Sequence, residues 1–207
     1  MIRGEDRTIR RLSTHEVRDV YRKYLKNDFP RNERRPLWNI LSMRRRRQYE
    51  CFGVFCGGGL VCYAFFVTLV LDGKRCCLLD YFAVLSEHRG SGIGSWFLSQ
   101  LGKCMRTADM VLAEVEDPDR EDDPEKKTVQ ERRLSFYLKN GLRDTAVRVE
   151  TFGVPYRILE APLARRAPGA GAKAAAAAAP EEIRSAYRAF YRRLLVNRAF
   201  DRYIRFV

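Results

Sequence analysis

The stretch that decides the fold is Leu79-Asp80-Tyr81-Phe82-Ala83-Val84-Leu85-Ser86-Glu87-His88-Arg89-Gly90-Ser91-Gly92-Ile93-Gly94-Ser95. Its first half reads as strand and its second half as a glycine-rich turn. Beyond the turn, Ile93, Phe97, Leu101, Cys104 and Met105 recur at helical spacing, which predicts a helix over 93–107. A glycine-rich turn between a strand and a helix is suited to anions. Glycine lets the backbone approach a ligand closely, and the first amides of the helix have no intrahelical partner. Two well-known loops of this kind are excluded. No GxxxxGK[ST] string is present. Gly90, Gly92 and Gly94 give GxGxG rather than GxGxxG, and the strands before them read as antiparallel.

Working back from the turn, Arg75–Leu85 is a strand, Asp72-Gly73 a type I′ turn, Leu60–Leu71 a strand, Gly57–Gly59 a turn and Cys51–Cys56 a strand. Thr8–Leu12 is a first strand. Ser13 or Thr14 then caps a helix with Glu16 as capping-box partner, and Val17, Val20, Tyr21, Tyr24 and Leu25 form its buried stripe. A second helix begins near Glu33 or Pro36 and runs to Gln48. Working forward, Asp109–Glu116 is a strand, 117–126 an acidic loop, and Thr128–Asn140 a helix closed by Gly141. Arg143–Thr151 and Val154–Glu160 are strands. Residues 164–180 are rich in Ala, Pro and Gly and read as a linker. Ile183, Tyr187, Phe190, Leu194 and Leu195 mark an amphipathic tail helix, extended by Ala199, Tyr203 and Phe206. The expected organisation is a domain over 1–163, a linker over 164–180 and a helical tail over 181–207. The tail packs on the core or on a second copy of the chain in a homodimer.

The chain of 207 residues carries 39 Lys and Arg against 26 Asp and Glu, a net charge of +13. The excess sits at the ends. Residues 1–50 carry +8 and residues 164–207 carry +7, whereas 114–125 carry −7 and 51–113 only +1. Arg44-Arg45-Arg46-Arg47 continues the helical pattern of Leu37, Ile40 and Leu41, so it reads as a solvated last turn, with a phosphate-binding patch as the sharper alternative. No zinc-finger spacing, helix-turn-helix pattern or aromatic RNA-binding signature accompanies it, which argues against nucleic acid as the partner. The six cysteines form no CxxC pair and lie mostly in apolar sequence, so reduced, buried thiols and no metal are expected. His15 and His88 read as surface residues. The longest apolar run, Gly57–Leu71, is too short for a bilayer, and the charged start Met1–Arg7 lacks a secretory pattern. No membrane association and a cytoplasmic location are expected.

Arg89-Gly90-Ser91-Gly92-Ile93-Gly94 matches in full the acyl-CoA loop pattern [Q/R]xxGx[G/A]. With it, residues 8–160 resemble the GNAT (Gcn5-related N-acetyltransferase) superfamily. Leu79–Val84 leads into the loop as that family's fourth strand does. Leu112-Ala113-Glu114-Val115 looks like its fifth strand. Phe136-Tyr137-Leu138-Lys139-Asn140-Gly141-Leu142 is similar to its later FYxxxGF motif, with Leu for the usual Phe. The resemblance implies an α+β fold, a central, mostly antiparallel sheet flanked by helices, with acetyl-CoA as cosubstrate and an amine as acceptor. It implies that the backbone of Phe82, Ala83 and Val84 pairs with the pantetheine arm. The amides of Arg89, Gly90, Ser91, Gly92, Ile93, Gly94 and Ser95 would hold the pyrophosphate.

Acyl transfer to an amine needs a deprotonated amine, a donor to the developing oxyanion and a proton for the leaving thiolate. The resemblance assigns the proton to Tyr137, which stands four residues before the motif glycine, and the oxyanion to a backbone amide near Val84. Three carboxylates are candidates for the base: Glu114, which matches the family's fifth-strand glutamate, then Asp80 and Glu116. The loop over 117–126 is longer than in compact relatives and removes their asparagine. Its acids are expected to border the acceptor slot and favour a cationic amine. The acceptor is a small-molecule or peptide amine. The alternative function is a non-catalytic module of this fold whose basic ends bind nucleic acid or an acidic partner.

Overall fold

Glycine turns and Asx caps set the ends of the elements in the computed structural model, which describes residues 7–165, 173–174, 177–195 and 203–207. The residues before Arg7, much of the expected linker, and Ala199 lie outside these. The chain divides into two compact units, Met1–Thr68 with Leu79–Gln100, and Leu69–Leu78 with Leu101–Val207.

In the first unit, β1 (Arg7–Arg11) pairs antiparallel with β2 (Tyr49–Cys56), and β2 with β3 (Gly59–Leu71). Gly57 and Gly58 have φ of 56° and 81°, the left-handed values that a two-residue hairpin turn requires. Residues 61–68 of β3 are buried without alternation, so both faces of the strand are covered. Helix α1 (Thr14–Val20) starts at the expected capping box. Ser13 Oγ accepts the Glu16 amide at 3.2 Å, and the Glu16 carboxylate accepts the Ser13 amide at 2.8 Å. A π-helical turn, Tyr21–Leu25, continues into the short α2 (Lys26–Asp28). The wider turn explains how Val20 and Leu25, five residues apart, are both buried. After a 3-10 turn at Arg31–Glu33, α3 spans Leu37–Arg45.

The strand β4 (Lys74–Val84) begins in the second unit after the Asp72-Gly73 turn, whose φ values of 49° and 75° are those of type I′. The helix expected over 93–107 is two pieces, α4 (Ile93–Ser99) and α5 (Leu101–Cys104). Ser99 Oγ donates to the Trp96 carbonyl at 2.6 Å, a local bond that competes with the helix, and Gly102 follows closely. β5 (Met110–Glu116) lies beside β4. The Asp109 amide donates to the Arg75 carbonyl at 2.8 Å, and the Arg75 amide to Asp109 Oδ2 at 2.9 Å. β5 then pairs antiparallel with β7 (Val154–Glu160), and β7 with β6 (Arg143–Thr151).

The expected loop over 117–126 is shorter than read. Pro118–Arg120 forms a 3-10 turn capped by Asp117, and α6 (Pro124–Lys139) begins with Asp123 as N-cap. Both are Asp-Pro steps, in which the carboxylate caps and proline supplies the first helical φ. Ala164–Arg165 (β8) pairs with Lys173–Ala174 (β9) in a separate two-stranded ladder. The tail helix α7 spans Pro180–Leu194 and buries Ile183, Ala186, Tyr187, Phe190, Tyr191 and Leu194. The expected helical extension to Phe206 is corrected. Ile204–Phe206 is a strand, β10, paired antiparallel with β6 in register Ile204↔Thr151 to Phe206↔Val149. Phe206 lies edge-on to Tyr187 at 5.9 Å, so its ring is used for packing in the sheet edge rather than on a helix. The strand order is β1-β2-β3-β4-β5-β7-β6-β10, an α+β sheet flanked by helices, as expected.

Candidate active site

In the first unit, the last part of β4 passes from interior to surface. Leu79 and Tyr81 are buried, whereas Phe82, Ala83 and Val84 are half-exposed. The Phe82 ring stacks on Phe97 of α4 at 5.2 Å, which anchors the strand end to the helix that follows. The turn begins with a 3-10 segment, Ser86–His88. Arg89 then folds back. Its Nε donates to the Val84 carbonyl at 3.2 Å, and its Nη2 lies 3.3 Å from Asp28 Oδ1. Asp28 Oδ2 also accepts the Tyr63 hydroxyl at 2.8 Å. Gly90 and Gly92 both adopt φ of 76°, and a Cβ placed on either meets nothing within 4 Å. The turn therefore presents bare backbone in open space, which fits a phosphate group that must approach main-chain amides. Gly92 caps α4 in the left-handed conformation, and Ile93 is buried beneath the turn.

Asp80 lies earlier on β4 and is held from two directions. Arg35 Nε lies 3.1 and 2.9 Å from its two oxygens, and the Tyr49 hydroxyl donates to Oδ2. The segment that supplies Arg35 is itself tied down. The Arg35 amide donates to the Tyr81 hydroxyl at 2.7 Å, Tyr81 donates to the Glu33 carbonyl at 3.0 Å, and Tyr21 donates to the Arg35 carbonyl at 2.9 Å. Burial, and next the Asp80 charge, pushes the Tyr49 and Tyr81 phenols above their usual range, so both remain donors. Sequence reading missed Arg35 and Tyr49 as partners of Asp80. Their long separations leave no local pattern.

In the second unit, Glu114 of β5 is half-buried. It accepts the hydroxyls of Tyr187 and Tyr191 from α7 on Oε1, the latter at 2.7 Å. Glu116, two residues on, pairs with Arg133 of α6. Tyr137 of α6 is buried at 8% exposure, with its ring edge-on to Phe136 at 5.3 Å. Its carbonyl accepts the Leu142 amide at 3.1 Å across the Gly141 turn, where φ is 89°. The acids of 117–123 are largely committed. Asp117 is paired with Arg157 and Arg148, Asp119 with Arg157, and Glu121 accepts from Gln130, while Asp123 caps α6. Among the described residues, no cluster of three or more His, Cys, Asp or Glu has the geometry of a metal site, and no helix is long and apolar enough to cross a membrane.

No family model matches this sequence, and no curated protein is similar to it in sequence. Solved structures are similar in fold. Spermidine N-acetyltransferase from Vibrio cholerae, in complex with CoA and spermine, superposes with a TM-score of 0.57 at 12% identity, over 76% of this chain and 95% of that one. The ribosomal-protein-S18-alanine N-acetyltransferase of Escherichia coli gives 0.53 at 15% identity, over 80% and 99%. The chain has the GNAT fold. A GNAT-family protein from Bacteroides thetaiotaomicron gives 0.56 at 18% identity, over 74% and 85%. At these identities the likeness concerns the GNAT fold and not the chemistry of any one neighbour.

Proposed function

We propose that this chain is an N-acetyltransferase, moving the acetyl group of acetyl-CoA to a primary amine by direct attack in a ternary complex. The observation that carries the reading is the turn Arg89–Ser95. It combines an RxxGxG sequence, left-handed glycines at 90 and 92 in open space, and a half-exposed strand end at Phe82–Val84 on a GNAT fold. Acetyl-CoA supplies an activated thioester when bound. The chain's part is to hold its pyrophosphate on the turn amides and its pantetheine arm on the Phe82–Val84 backbone, with an amide near Val84 as oxyanion donor. Tyr137 is the proposed acid. A phenol has an unperturbed pKa of about 10, so it is protonated at neutral pH. Glu114 is the proposed partner of the acceptor amine. It is preferred to Asp80 because the Arg35 cation faces both Asp80 oxygens, whereas Tyr187 and Tyr191 are neutral donors to one Glu114 oxygen. Two of the three neighbours are named for spermidine and for an alanine of ribosomal protein S18 as acceptors, both amines, which supports the acceptor class.

Thermal denaturation with and without acetyl-CoA, followed by a screen of polyamines and peptide amines with mass detection of the product, tests this reading. Stabilisation by acetyl-CoA and a mass gain of one acetyl group support it. No stabilisation, together with salt-sensitive binding of structured RNA, overturns it in favour of a binding module. The cytoplasm is the proposed compartment, and cell fractionation checks it.

A further inference from the structure

Helix α7 brings Tyr187 and Tyr191, one turn apart on the same face, onto Glu114 of β5. Their rings lie 4.8 Å apart, and both are buried, at 0% and 6% exposure. Both hydroxyls reach the same carboxylate oxygen, Oε1. The Tyr187 oxygen is also 2.7 Å from Thr151 Oγ1 of β6. A phenol has one proton and an ionised carboxylate only accepts, so the Tyr187 proton points to Glu114 and Thr151 donates to Tyr187. The relay Thr151 to Tyr187 to Glu114 is thereby directional. Burial, and next the Glu114 charge, pushes the Tyr187 phenol well above its usual range, which keeps it a donor.

Packing alone does not call for these hydroxyls. Ile183, Phe190 and Leu194 already give α7 an apolar stripe, and a buried phenol costs free energy unless it is hydrogen-bonded. The last side-chain torsion of glutamate is soft and roughly two-fold. Two donors on one oxygen remove that freedom.

We propose that Tyr187 and Tyr191 are positioning residues that fix the Glu114 carboxylate for the acceptor amine, so that the C-terminal helix is part of the acceptor site. The proposal rests on the acetyltransferase reading above. In the full chain, Tyr191→Phe and Tyr187→Phe retain the rings and remove only the hydroxyls. Each lowers kcat/KM for the amine about tenfold. Neither changes KM for acetyl-CoA by more than about twofold. The deciding measurement is a double-mutant cycle with Glu114→Gln. If the tyrosines act through Glu114, Glu114→Gln/Tyr191→Phe is no slower than Glu114→Gln alone. Additive losses, or amine kcat/KM unchanged in both Phe variants, overturn the proposal while leaving the acetyltransferase reading intact. Should Tyr187→Phe fold poorly, the cycle on Tyr191, whose oxygen makes the longer bond, still decides. A wild-type protein that acetylates no amine and gains no stability from acetyl-CoA overturns both.

Discussion

Arg157 Nε donates to Asp117 Oδ1 at 2.6 Å, and the Asp117 residue is only 5% exposed. The most negative segment of the sequence is thus anchored by a buried ion pair, joined by Arg148 at 3.5 Å. Removing the charge takes one carboxylate from both guanidinium groups, which keep Asp144 and, for Arg157, Asp119. Asp117→Asn is expected to lower unfolding stability by about 2 kcal/mol. Asp122→Asn, on the exposed part of the loop, should stay within about 0.5 kcal/mol of wild type. Urea denaturation of both variants measures this. Equal losses would show that Asp117 is no more structural than its neighbours. The expected role of the loop in selecting cationic amines is best tested on Asp122 and Glu125, which are exposed, rather than on Asp117 and Asp123.

Gly92 separates a folding effect from a binding effect. A side chain there meets no atom but must take φ of 76°. The strain costs about 1–2 kcal/mol, a fall of a few degrees in Tm for a chain of this size. Gly92→Glu also sets an anion beside the proposed pyrophosphate position. Thermal stabilisation by acetyl-CoA should vanish while the unliganded protein still melts cooperatively. Retained stabilisation would remove the turn from the proposed site.

Tyr137→Phe keeps the edge contact with Phe136 and removes one hydroxyl. As a general acid, Tyr137 accounts for about 100-fold in kcat, with KM for acetyl-CoA within about twofold. Steady-state kinetics with a fixed amine gives both numbers, and an unchanged kcat assigns the tyrosine to packing. Asp80→Asn behaves oppositely. It removes the carboxylate charge that the Arg35 guanidinium and the Tyr49 hydroxyl both engage, so stability falls by about 2–3 kcal/mol, while kcat per folded molecule stays within about threefold. A large loss of kcat with normal stability would return Asp80 to the list of bases.

Three buried thiols set an alkaline limit on stability. Burial pushes Cys51 up to about 12 and Cys76 up to about 11, and raises Cys62 as well. The folded values lie above the unfolded value of about 8.5. Their contribution is fully present below that value and declines as pH rises toward about 11–12. Native protein at pH 8 should therefore leave these thiols unalkylated by iodoacetamide, and denaturant melts should weaken progressively above pH 9. Mass spectrometry of the alkylated peptides checks the first statement. Rapid labelling of Cys51 in the folded protein contradicts it.

The elements with a local cause were legible in the chain. Ser13 and Glu16 spell a capping box, Asp72-Gly73 a hairpin turn, Gly141 a helix end, and Arg89–Gly94 a glycine turn between strand and helix, each within six residues. The two Asp-Pro steps at 117–118 and 123–124 carried a helix-start signal that charge counting obscured. Sequence alone therefore determined the α+β order, the strand meander and the glycine turn before α4. Tertiary structure decided the partners. Arg35 reaches Asp80 across 45 positions, Arg157 reaches Asp117 across 40, and Tyr187 reaches Glu114 across 73. It also made Ile204–Phe206 a strand, because the free edge of β6 offers backbone partners that an isolated tail lacks. Local propensity and periodicity act over one or two turns of chain. Pairing of charges and hydroxyls depends on which strands become neighbours, and only the folded sheet sets that.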